Sequence, residues 1–393
     1  MKVLHILPCN GNNVNKNLVK KLCEAFPDSL FALRLLDSRD TASTRIADNR
    51  EWIEYVGEKR FVGVLRVSTF LDKLRRYLGW GIASRICAVR RLLLPELTIG
   101  SLLKIVLGPR NILVHRNPFS FPTMVVLKLF FKKVVLIHWG GSPHVYINQS
   151  GRLTSAFDVL AFHVQYHVFV LMTPEVDAFK KIGVQRVSVL PYPSSPQQGV
   201  LNIVEDYWAK SCPRRILLGN NTLRRDLYPE ILDKLHGEDW DEIVCMLNYG
   251  NEDDEARTEV FIEKYKKRFG EKFKAWRTVL PMDEYRKYVA RFPFYICPAP
   301  RQSGLAAAYC SVFQGKALFL RGDNLKWLNE VTNNGANIVD LDTVKDFSFK
   351  SFCAYLSTRE CAIKSARALR DAFKERYTIQ HWKSRIEETF NGA

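Results

Sequence analysis

The sequence predicts an α/β protein of two successive domains, each a doubly wound sheet of parallel strands with helices on both faces. Three observations carry this. The 393 residues are too many for one compact core and about right for two domains. Short runs of Val, Ile and Leu, the mark of strands buried on both faces, alternate with segments of helical period. Midway, Pro191, Pro193 and Pro196 interrupt the alternation, removing amide donors and stiffening the chain, and the pattern then starts again.

In the first half, strands are expected at residues 3–7, 30–36, 52–56, 112–115, 134–138, 168–172 and 187–190, and helices at 17–25, 121–131, 155–166 and 175–181. After a helix-like stretch at 202–211, strands follow at 215–218, 242–247, 273–277, 294–297, 317–320 and 337–339. Helices are expected between them at 228–235, 255–269 and 282–290, with another starting near Ser303 and Gly304. Asp283 and Glu284 fall in a first turn, where carboxylates suit the helix dipole. Two helices, 361–377 and 380–390, close the chain. The domains so drawn are 1–195 and 196–375, with 376–393 a helix that packs back on the first. Ligands of such sheets bind beyond the carboxyl ends of the strands, here in a cleft between two domains.

Composition narrows the class. Hydrophobic residues make up 47% and charged residues 25%, the profile of a folded globular chain. Nine scattered cysteines form no CxxC pair and sit mostly in apolar runs, the usage of a reducing compartment, so neither zinc nor disulfides are expected. The apolar start, Val3 to Leu7, is a buried strand rather than a signal segment. The longer apolar stretches, 86–107 and 124–139, are interrupted by Arg or Lys and are not expected to span a bilayer.

The net charge is +17 and unevenly placed: from Lys59 to Lys133 there are fifteen Lys or Arg against only Asp72 and Glu96. Such a patch attracts polyanions, either nucleic acid or anionic headgroups. Segments 70–80 and 86–94 interleave arginines with leucines and aromatic rings, which suits an interfacial helix as well as a solvated basic face. No RNA-recognition signature accompanies the charge, so nucleic acid is not an expected partner.

Candidate site residues cluster at expected strand ends. Gly219, Asn220 and Asn221 follow the first strand of the second domain and precede a helix, where glycine lets backbone approach a phosphate and helix amides are free. Arg224, just beyond, can neutralise a diphosphate or simply be solvated. Arg301, Gln302, Ser303 and Gly304 lie between a strand and a small-residue helix, and a guanidinium there has the fork geometry for phosphate. Asp323 and Asn324 follow the next strand, placed to bind hydroxyls or to cap a helix. In the first domain, His115 and Asn117 end one strand, while His138, Trp139, Gly140, Gly141, Ser142 and His144 end the next. These are candidates for an acceptor pocket and a general base, since imidazole titrates near working pH. His163 and His167, four apart, have the spacing of a metal pair, but no carboxylate completes it.

At these residues the sequence resembles the Fuc4NAc transferases of enterobacterial common antigen synthesis. The likeness runs through Leu4-His5-Ile6-Leu7, His115 with Phe119, Trp139-Gly140, Thr173 and Tyr192-Pro193. It continues through Leu218-Gly219-Asn220, Tyr249, Met282 to Tyr285, Arg301-Gln302 with Gly304, and Asp323-Asn324 with Trp327. The resemblance implies a GT-B fold, two Rossmann-like domains facing each other across a cleft, and inverting sugar transfer that needs no metal or cofactor. It implies a dTDP- or UDP-linked sugar as donor substrate, held by the second domain at residues including Tyr249. The acceptor would be an undecaprenyl-diphosphate-linked saccharide, and the protein would lie peripherally on the cytoplasmic face of the bacterial inner membrane, against its anionic surface. One departure matters: where the family has Trp-Gly-Ala-Asp, this chain has Trp139-Gly140-Gly141-Ser142, so the carboxylate is missing and His138 or His144 is left as candidate base. Two other classes share part of the pattern. A nicotinamide-dependent oxidoreductase would carry GxGxxG after the first strand, where Pro8-Cys9-Asn10-Gly11 stands instead. A basic module without catalysis would explain the charge but not two sets of strand-end loops.

Overall fold

A computed structural model describes residues 1–9, 13–35, 57, 60–65, 97–116, 118–138, 153–191, 193, 213–220, 222–247, 255–278, 280–332, 337–356, 358–376 and 378–392. The expected strand at 52–56, the basic segments 70–80 and 86–94, and the helix-like stretch 202–211 fall outside them. The chain forms two compact units: residues 1–194 together with 376–393, and residues 195–375.

The first unit holds seven parallel strands: β1 (Val3–Cys9), β2 (Leu30–Leu35), β3 (Phe61–Leu65), β4 (Asn111–Arg116), β5 (Lys133–His138), β6 (His167–Val170) and β7 (Val187–Val189). Their order is β3-β2-β1-β4-β5-β6-β7, so the winding reverses between β1 and β4. Alternate side chains feed two cores. Leu4 and Ile6 of β1, Ile112 and Val114 of β4 and Val134 and Leu136 of β5 pack with Ile105, Met124 and Leu127 of helices Ile99–Val106 and Phe121–Leu129. On the other face, Val3, Leu7, Leu113, Val135 and Ile137 meet Leu18, Val19 and Leu22 of helix Asn13–Ala25.

Helix Ile379–Asn391 completes that second core. Trp382, Ile386 and Phe390, spaced by four, form one buried stripe. The Thr378 hydroxyl accepts from the His381 amide to cap the helix, and the Trp382 indole donates to the Pro191 carbonyl. Lys133 Nζ donates to the Phe390 carbonyl at 2.7 Å, fixing the far end.

The second unit repeats the plan with β8 (Arg215–Leu218), β9 (Glu242–Met246), β10 (Phe273–Trp276), β11 (Phe294–Cys297), β12 (Ala317–Leu320) and β13 (Ile338–Asp340), ordered β10-β9-β8-β11-β12-β13 and parallel throughout. Reversal falls between β8 and β11. Helix Glu255–Phe269, nearly all charged outside, buries Thr258, Phe261, Ile262, Tyr265 and Phe269 on one stripe; Glu255 opens it and Lys266, Lys267 and Arg268 close it, matching its dipole. Strand β3, whose Gly63 lowers strand character, and the helices Ile99–Val106, Gly322–Val331 and Phe349–Ala354 had no range in the sequence expectations; the first of these helices lies within the apolar stretch 86–107.

Three strand histidines belong to the first unit's cores. His5 stacks on Phe31 at 4.9 Å, His115 lies between His5 at 5.9 Å and Trp382 at 6.3 Å, and His138 meets Phe162 and Phe179 edge-on. Burial lowers all three pKa values, His115 to about 3 and His138 to about 4, because an imidazolium in these apolar surroundings loses its hydration. The unfolded chain, with histidines near 6.5, therefore takes up protons first as pH falls. Stability is complete above about pH 6.5 and is lost as pH drops through about 4, at about 1.4 kcal/mol per pH unit for each histidine. Urea unfolding at pH values between about 7.5 and 5 is expected to show this slope, and His115→Phe to reduce it; a flat profile would mean these imidazoles are not buried neutral.

Candidate functional site

In the second unit, the chain leaves β8 and β11 on either side of the strand reversal, the place where an open parallel sheet leaves a crevice. Three segments meet there. Gly219 and Asn220 follow β8, residues 298–304 follow β11, and helix Gly322–Val331 follows β12.

Their junction is built from side-chain amides. Ser303 Oγ donates to Asn220 Oδ1 at 2.9 Å, tying the loop after β11 to the loop after β8. Asn324, fully buried, donates from Nδ2 to the Ser303 carbonyl at 2.7 Å and accepts the Ser303 amide on Oδ1 at 3.3 Å. The Asp323 amide donates to the Pro300 carbonyl at 3.0 Å. Each contact converts a loop into a fixed support. Asn324 is therefore a brace, with its side chain committed to protein, and Asn220 braces through Oδ1. Asp323 too is nearly enclosed.

Three glycines here are required by contact, among them Gly322, whose φ is +57° and whose Cβ would lie 2.0 Å from the Pro300 carbonyl oxygen. Gly219 has φ +76°, and a Cβ there would lie 2.1 Å from Cζ of Tyr228, whose hydroxyl accepts the Asn220 amide at 3.0 Å. Gly304 has φ +66°, and its Cβ would lie 2.3 Å from the Tyr295 hydroxyl. Gly304 also precedes helix Leu305–Phe313, whose first turn has no acidic residue and no side-chain cap. The dipole's positive end and its amides thus lack a side-chain acceptor at the point where the loop opens.

Arg301 and Gln302 stand half-buried in the same loop. Arg321 pairs through its guanidinium with both oxygens of Glu230 at 2.8 and 2.9 Å and with Asp342 at 2.8 Å. Arg225 is buried and donates to Thr258 Oγ1 at 2.7 Å. Arg224 lies in the 3-10 helix Thr222–Leu227. Asn221 and Tyr249 are outside the described residues.

The first-unit candidates do not assemble in the same way. His115 and His138 were expected to open onto a pocket, but both rings point into the cores described above. His138 is fully enclosed, with Nδ1 3.0 Å from the Arg116 carbonyl, so its other nitrogen faces apolar packing rather than a substrate. Alternation explains the outcome: His5 and His115 share the face of Trp382, and His138 the face of Phe162. Asn117, Trp139, Gly140, Gly141, Ser142 and His144 lie outside the described residues. Among the described residues no three His, Cys, Asp or Glu side chains converge as a metal site would require. Tyr228 and Tyr295, which carry two of the three glycine contacts, escaped sequence reasoning; only their place beside strand-end glycines marked them.

No family profile matches the sequence, and no curated protein does. Solved structures match it along its whole length. The N-terminal domain of Candida albicans trehalose-6-phosphate phosphatase is 10% identical, with 99% of this chain and 96% of that one aligned and a TM-score of 0.65. HepE of Anabaena, in complex with UDP and glucose, is 11% identical over 100% of both chains, TM-score 0.62. The UDP-forming α,α-trehalose-phosphate synthase of Burkholderia xenovorans, in complex with glucose-6-phosphate, is 10% identical over 99% of this chain and 100% of that one, TM-score 0.59. Together with the two doubly wound parallel sheets, these likenesses decide the architecture. The chain has the GT-B fold. Identity this low carries the fold and nothing finer. Within that GT-B frame, Gly219→Ala is expected to cost at least about 2 kcal/mol, from a left-handed backbone and collision with Tyr228. An unchanged urea midpoint would contradict the close packing.

Proposed function

We propose that the protein is a glycosyltransferase whose nucleotide-sugar donor sets its diphosphate at the strand reversal of the second unit. One observation carries this: the uncapped start of helix Leu305–Phe313 opens onto a loop fixed by Asn220, Ser303 and Asn324, with Arg301 in that loop. Helix amides and a guanidinium are the donors a diphosphate requires, and the helix start is held in place before it arrives. The likeness to HepE, crystallised with UDP and glucose, supports the same reading. So does an anthocyanidin 3-O-glucosyltransferase crystallised with UDP, at 12% identity and TM-score 0.57 over 99% of each chain.

The finer reading rests on the resemblance to the Fuc4NAc transferases. It assigns a dTDP- or UDP-linked deoxy-amino sugar as donor and an undecaprenyl-diphosphate-linked saccharide as acceptor, with inversion, no metal, and a place on the inner face of the bacterial inner membrane. In this scheme an acceptor hydroxyl attacks the anomeric carbon as the bond to the diphosphate oxygen breaks. Arg301 and the helix amides offset charge on the departing diphosphate. The hydroxyl proton passes to a base. His138, enclosed and low in pKa, is unsuited to that role, so the base assigned is His144, six positions beyond β5.

A thermal-shift screen tests the donor: dTDP- or UDP-sugars are expected to raise Tm, and dinucleotides are not. Arg301→Ala should lower turnover by about a hundredfold or more with little change in Tm. Full activity in that variant would remove the phosphate role. For the base, His144→Ala should cost about a hundredfold or more in kcat and abolish the acidic limb of the pH–rate profile. A retained limb would point to another group.

A further inference from the structure

Two helices lie side by side on one face of the first sheet: Ile105 of Ile99–Val106 and Met124 and Leu127 of Phe121–Leu129 enter the same core. Their other sides are apolar as well. Ile99, Leu103 and Leu107, spaced by four, form an exposed stripe on and just beyond the first helix, and Val125 and Leu129 form one on the second. The two turns that end these helices are tied together. Lys132 Nζ donates to the carbonyls of Gly108 and Pro109 at 2.8 and 3.2 Å, and Arg110 Nε to that of Phe131 at 3.2 Å. Leu107, 83% exposed, and Phe131, 79% exposed, therefore stand on neighbouring turns, with Phe130 beside them.

Phe131 is placed against its own backbone preference. Its φ is +53°, in the left-handed region. Its amide donates to the Lys128 carbonyl at 2.9 Å and the Lys132 amide to that of Leu127 at 3.1 Å, the paired bonds of a helix terminus that usually takes glycine. A bulky ring in this backbone region is unfavourable and gains no burial within the protein to offset it. Along residues 97–138 the charge has one sign. Residues 97–138 contain no Asp or Glu, and Lys104, Arg110 and Lys128 are exposed beside the apolar side chains.

We propose that the joined ends of these two helices, with Leu107, Phe130 and Phe131 at the centre, form a docking surface for a membrane bearing anionic lipids. Rings and leucines enter the acyl boundary, and the surrounding cations pair with headgroups. A partner protein or a second copy would satisfy the apolar side chains, but the exposed Lys104, Arg110 and Lys128, with no carboxylate in residues 97–138, favour an extended anionic surface. The inference assigns the membrane association of the proposed function to particular residues, at turns that precede β4 and β5, the opposite strand ends from those where the catalytic chemistry is placed.

Co-sedimentation with vesicles of phosphatidylcholine alone, or mixed with phosphatidylglycerol, tests it. The protein is expected to pellet with the mixed vesicles, less so as salt rises. Phe131→Gly should weaken partitioning about ten-fold while leaving Tm unchanged or slightly raised, because glycine suits that backbone. Leu107→Ser should weaken it comparably. If the wild type stays in the supernatant with both vesicles, the membrane reading itself fails. Should it pellet while both variants pellet equally well, the membrane reading stands and this surface is overturned. If Phe131→Gly instead converts a dimer into a monomer by sedimentation velocity, the occupant is a second copy and the proposal is wrong.

Discussion

A single buried amide holds together the junction at the strand reversal of the second unit. Asn324 gives its Nδ2 to the Ser303 carbonyl and takes the Ser303 amide in return, so the loop after β11 is fixed by the helix after β12. Ser303 then reaches Asn220 and fixes the loop after β8. The segments that follow three adjacent parallel strands are thereby held at one spacing. Without that chain the start of helix Leu305–Phe313 would still carry a dipole but no shaped approach to it. Close backbone packing does the rest: Gly219 lies against Tyr228 and Gly304 against Tyr295.

Much of the architecture was legible because parallel strands, covered on both faces, leave continuous apolar runs such as Ile112 to Val114 and Val134 to Ile137. Fourfold spacing made the helices Glu255–Phe269 and Ile379–Asn391 equally plain. Strand β3 was not legible, since five residues with a central glycine carry too little pattern. At the site, the loops were found but the roles within them were not. Asparagine after a strand reads as a hydroxyl binder and as a brace in the same letters. Only the distances from Asn220 and Asn324 to Ser303 separate the two. The histidines show the same ambiguity. A strand-end imidazole looks like a base until the alternation of faces sends it inward, as it does for His115 and His138.

Charge was informative in the opposite sense. The excess of Lys and Arg in the first half raised the expectation of a polyanionic partner without a location, because a count does not say which side chains share a surface. The location came from the backbone at Phe131 and from the two turns that Lys132 and Arg110 tie together. A bulky residue kept where glycine would fit better is information that neither hydropathy nor charge contains.

The return of helix Ile379–Asn391 to the first unit has a consequence for how the chain is made. The second unit, 195–375, is an insertion within the first, whose core stays unfinished until Trp382, Ile386 and Phe390 have left the ribosome. The later-synthesised unit can thus close around its own core first, while the earlier one waits with Leu18, Leu22 and Leu113 uncovered. During that interval the nascent first sheet offers an oily face to chaperones or to other unfinished chains.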